Sequence, residues 1–86
     1  MPSIQQLINE VNMIKRNSKD LSSRVKSGSS LLNSRAASIA ALTKGSRSGR
    51  DAVMAVRAAS KSLSEAAMSM NTLSTTCDRC IADLSK

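Results

Sequence analysis

The chain has 86 residues and a formal net charge of +7, enough for one small domain. It contains no Phe, Trp or Tyr, and hydrophobic residues make up 41%. Its core must therefore be built from Leu, Ile, Val, Met and Ala, which fill a narrow seam between helices better than a thick multilayer core. Without His or Tyr and with only two Cys, the chain lacks the usual bases and the four ligands of a structural zinc site. The expectation is a non-enzyme with no cofactor. The charge is unevenly placed: residues 1–50 carry nine Lys/Arg and two acids, residues 51–86 four of each. Such an excess attracts nucleic acid, anionic lipid or an acidic protein.

The first element is predicted from Ser3. Ser3-Ile4-Gln5-Gln6 has the form of a capping box, with Pro2 before it. Apolar residues then recur in one heptad phase at Ile4, Leu7, Val11, Ile14, Leu21, Val25, Leu32, Ile39 and Leu42, with Ser18, Gly28 and Arg35 filling the remaining positions. The phase survives Ser27-Gly28-Ser29-Ser30, so one continuous helix over about 3–44 is expected. Gly45 suits a left-handed cap, and 45–49 reads as the turn.

Ser48-Gly49-Arg50-Asp51 offers a start for a second helix, over about 49–85. Its heptad positions are Ala52, Val56, Ala59, Leu63, Ala66, Met70, Leu73, Cys77, Cys80 and Leu84, all apolar or thiol. The fold class is thus all-α: an antiparallel two-helix hairpin forming a single domain over 1–86. One seam leaves apolar side chains to spare, including Ile8, Leu31, Val53, Met54, Met68 and Ile81. Pairing with a second hairpin into a four-helix bundle, as homodimer or heterodimer, is the expectation.

Cys77-Asp78-Arg79-Cys80 has CxxC spacing but lies at the end of a helix, where no dipole lowers a thiol pKa. Both thiols, like most of the Met residues, read as core. The basic residues Lys15, Arg16, Lys19, Arg24, Lys26, Lys44, Arg47 and Arg50 form a solvated or partner-facing surface, with phosphate binding as the alternative. The longest apolar stretch, Ala52–Val56, is far too short to span a bilayer, and no signal-peptide run is visible. The expected location is the cytoplasm, with export by a route that needs no cleaved signal left open.

The stretch Ser38–Met70, an apolar helix, a glycine turn and an Ala-rich amphipathic helix, resembles the WXG-motif hairpins of type VII secretion. Arg47 stands where that motif carries Trp. The resemblance implies a co-secreted substrate, or a small partner that delivers a larger secreted effector. The other functional readings are a basic helical protein binding nucleic acid non-specifically and a coiled-coil scaffold subunit.

Overall fold

A computed structural model describes residues 3–86; Met1 and the Pro2 that precedes the capping box lie outside the described residues. Two helices make up the fold, α1 (Ile4–Leu42) and α2 (Arg47–Leu84). They pack along their whole length as an antiparallel hairpin, a slab with extents of 62 × 19 × 13 Å.

The capping box forms. Ser3 Oγ accepts from the Gln6 backbone N–H at 3.1 Å, and the Ser3 N–H donates to Gln6 Oε1 at 2.7 Å. Two donors orphaned at the helix start are thereby satisfied. The helix then runs unbroken through Gly28, because the seam on either side of that glycine keeps its period.

At its far end α1 closes on Thr43, whose backbone N–H and hydroxyl both donate to the Ile39 carbonyl, at 2.9 and 2.6 Å. Gly45 follows at φ 84°, the left-handed conformation that reverses the chain without steric penalty. The second helix starts earlier than its sequence indicates. Ser46, not Ser48, is the N-cap, its hydroxyl accepting from the Gly49 N–H at 3.2 Å. The connection thus shortens to Thr43–Ser46, and Gly49 falls inside the first turn of α2.

That early start presses Gly49 against the end of α1. A Cβ on Gly49 would collide with the Thr43 side chain and come within 3.1 Å of its carbonyl oxygen. A Cβ on Gly28 would touch only Leu63, at 3.9 Å. The two glycines therefore respond oppositely to alanine. Gly28→Ala should raise stability by about 0.5–1 kcal/mol through helix propensity, whereas Gly49→Ala should lower it by about 1–3 kcal/mol through overpacking. Thermal melts followed by circular dichroism measure both, and a melting temperature that rises for Gly49→Ala would contradict the turn described.

Candidate functional site

The seam between the helices is lined by small side chains. On α1 the seam positions recur at alternating steps of four and three, Ile8, Val11, Lys15, Ser18, Ser22, Val25, Ser29, Leu32, Ala36, Ile39 and Thr43, all buried or half-buried, with Asn12 and Gly28 half-buried at their edge. On α2 they are Gly49, Val53, Val56, Ser60, Leu63, Ala67, Met70, Ser74, Cys77, Ile81 and Leu84, with Ala66 half-buried at the edge. Among the described residues, every buried one is Gly, Ala, Ser or Cys. Small residues let two helix backbones approach until side-chain hydroxyls reach the opposite main chain.

That is what the serines do. Ser22 Oγ donates to the Ala67 carbonyl across the seam at 3.1 Å. Seven residues on, Ser29 Oγ donates to the Ser60 carbonyl and Ser60 Oγ to the Ser29 carbonyl, both at 2.9 Å. The two hydroxyl oxygens lie 2.8 Å apart. Each hydroxyl has one proton, so either both bond carbonyls or one turns to its neighbour. No buried side-chain polar atom among the described residues lacks a partner. Polar burial thus carries little desolvation penalty.

The seam lies on one of the two apolar rows visible in each helix. Val11, Val25, Leu32, Ile39, Val56, Leu63, Met70 and Leu84 are half-buried in it. In the other half of the expected heptad, the residue one position later takes the inward place. Leu7, Ile14 and Leu21 stand beside the seam while Ile8, Lys15 and Ser22 enter it. Ala59, Ala66 and Leu73 likewise stand beside Ser60, Ala67 and Ser74. Leu7, Ile14, Leu21 and Leu73 remain 39–47% exposed, Ile4 60% and Leu42 86%. At Leu21/Ser22 and Leu73/Ser74 the small residue enters in place of the leucine, and backbone approach there and at Ser29 and Ser60 brings the serine bonds and long contact along both helices.

The flanks of the seam have opposite characters. In an antiparallel pair, residues that precede the first seam position on each helix share one face, and residues that follow the second share the other. One face therefore combines Leu7, Ile14, Leu21, Gly28, Arg35 and Leu42 with Ala52, Ala59, Ala66, Leu73 and Cys80, apolar but for Arg35. The other combines Lys19, Lys26, Asn33 and Ala40 with Arg50, Arg57, Ser64, Asn71 and Asp78. Two contacts fit this sorting: Lys15 bridges to Asp78, and an open hollow of about 380 Å³ is lined by Ala40, Thr43, Lys44, Gly45, Gly49, Arg50, Val53 and Met54.

The basic residues separate accordingly. Arg16, Lys19, Lys26 and Arg50 are exposed toward the polar face, and Lys44 and Arg47 stand at the turn. Arg24 faces away and pairs with Asp20 at 3.3 Å. Lys15 is half-buried in the seam, with its stem packed and its ammonium on Asp78. Both ion pairs are partly exposed and worth little individually.

The cysteines also part company: Cys77 is buried at 6% exposure, whereas Cys80 is exposed on the apolar face. Met13, Met54 and Met68 are 55–71% exposed, contrary to a core role; of the helical methionines only Met70 enters the seam. A core only two helices wide has no second layer to take them. Among the described residues, no group of three or more His, Cys, Asp or Glu is placed to hold a metal. None of the described helices is long and apolar enough to cross a membrane.

Ser22, Ser29, Ser60 and Ser74 are not singled out by sequence for the seam, nor is Arg57 for the polar face. A trace exists: Ser22 and Ser29, and Ser60, Ala67 and Ser74, recur at intervals of seven. Comparison with protein-family models, curated proteins and solved structures yields no match.

The reciprocal serine pair predicts non-additivity. Ser29→Ala or Ser60→Ala alone should cost about 1 kcal/mol, since each removes one donor from a closed pair. The double variant should cost less than the two single losses combined, a coupling measurable by urea denaturation. Strict additivity would mean that the two hydroxyls act independently.

Proposed function

We propose that this chain is a non-catalytic docking module whose apolar face pairs with another helical hairpin to complete a four-helix bundle. The observation that carries this reading is unpaired surface. The accessible area is 6351 Å², whereas a compact monomer of 9.1 kDa exposes about 4,900 Å² by the usual size scaling. The excess, about 1,450 Å² per chain, would, if covered by a partner, make a two-partner interface of roughly 2,900 Å², the size of an obligate one.

The location of the exposed aliphatic residues supports the same reading. Leu7, Ile14, Leu21 and Leu73 are partly covered by the seam's edge, so a partner inherits a half-built core instead of isolated surface side chains. On α2 the same side carries Ala52, Ala55, Ala59, Ser62, Ala66 and Ser69, small enough to admit another helix closely. The resemblance to WXG-motif hairpins favours a particular biological setting, in which the chain is the small partner of a larger secreted effector.

Leu21→Asp with Leu73→Asp tests the proposal. Both residues are outside the seam, so the helical hairpin should persist by circular dichroism while light scattering shows the assembly lost. Each buried Leu contributes about 1.5–3 kcal/mol, and a buried unpaired carboxylate adds to the loss. Assembly that survives both substitutions would remove the apolar face as the docking surface. Cys80 supplies a second readout: with Cys77 buried, its alkylation should be fast in the dissociated variant and slowed at least tenfold in the assembled wild type. Equal rates would place Cys80 outside the interface.

A further inference from the structure

We infer that the face opposite the apolar one is a binding surface for the phosphate backbone of duplex nucleic acid. Folding sorts the charges in a way that the linear order does not. Lys19 and Lys26 on α1 and Arg57 and Arg50 on α2 are all exposed and all follow a seam position, so they share this face. The Ser29–Ser60 bonds set the levels. Lys26 lies three residues to one side of that layer and Arg57 three to the other, about 9 Å apart along the axis. Lys19 to Lys26 and Arg57 to Arg50 are each seven residues, about 10 Å.

The four cations therefore form a single file of nearly even steps, crossing obliquely from α1 to α2 over about 30 Å. Arg16 and Lys61 extend the file sideways, and Lys44 continues it at the turn. Of the six acids, only Asp78 shares this face, and Lys15 occupies it.

The chemistry narrows the ligand. Asn71, Ser64 and Asn33 stand across from Lys19, Lys26 and Arg57, and only Ala40, across from Arg50, is apolar, so the stripe offers no continuous apolar row on which a partner helix could pack. A bilayer would be met by a broad cationic area, whereas one file suits a rod. The absence of aromatic residues removes the stacking platform that single strands require. What remains is a duplex, read through its phosphates without sequence preference.

The inference does not depend on the pairing of apolar faces, because the Leu21→Asp/Leu73→Asp chain retains the whole stripe. The test is fluorescence anisotropy of the full chain with a random-sequence DNA duplex of about two turns, with an RNA duplex in parallel to separate the two phosphate sources. Four contacts predict a log–log salt slope near −4, roughly a hundredfold loss between about 50 and 200 mM salt. Lys26→Gln with Arg57→Gln should weaken binding at least tenfold and flatten the slope by about 2, with helicity unchanged. Arg24→Gln with Arg79→Gln removes the same net charge off the stripe and should change the affinity less than threefold. The inference is overturned by any of three results: no duplex binding at low salt, equal weakening by the two variant pairs, or equal affinity for poly-glutamate or phosphatidylserine vesicles.

Discussion

Everything in this hairpin depends on how closely its two helices approach at the Ser29–Ser60 layer. With Oγ–carbonyl distances of 2.9 Å in both directions, each backbone is in hydrogen-bonding reach of a side chain from the other. Nothing larger than serine fits at that level without separating the helices. A closely packed seam is favourable here because the chain has no aromatic residues with which to fill a wider one. Dispersion along two helices of 39 and 38 residues replaces the area that a few large side chains would bury elsewhere. Hydroxyls at the seam also define the register, since a one-residue slip would leave buried oxygens unpaired.

Close approach has a consequence for the large side chains. When Ile8, Lys15, Ser22 and Ser74 turn inward, the aliphatic residues one position earlier cannot. Leu7, Ile14, Leu21 and Leu73 are carried to one rim of the seam and stay about half exposed. The same rotation carries Lys19, Lys26, Arg50 and Arg57 to the opposite rim. One packing choice thus generates both an apolar face and a cationic face on a slab one helix thick. A chain with leucine at the inward positions would have buried its apolar surface and lost the first of these faces.

The turn enforces the arrangement from one end. Thr43 and Ser46 cap the two helices toward each other, Gly45 takes the left-handed conformation, and Gly49 allows α2 to begin against α1. Because α2 starts at Arg47, its first turn places Arg50 beside Ala40 and Lys44 around the open hollow. The connection thereby aligns the end of the cationic file with the end of the slab.

Much of this was legible in the residues. Heptad periodicity over nearly the whole chain, the Ser3–Gln6 capping box and the glycine-bearing turn determined an all-helical hairpin, and α1 runs through Gly28 as its unbroken phase indicates. Half of the seam was equally legible, at Val11, Val25, Leu32, Ile39, Val56, Leu63, Met70 and Leu84. The other half was not, because a hydrophobic pattern ranks leucine above serine for burial, and each helix presents two rows one residue apart that satisfy the same period. Only the tertiary structure decided between those rows. The choice rests on backbone-to-backbone distance and on hydroxyl-to-carbonyl bonds between residues 31 and 45 apart in the chain, quantities that exist only once two helices meet.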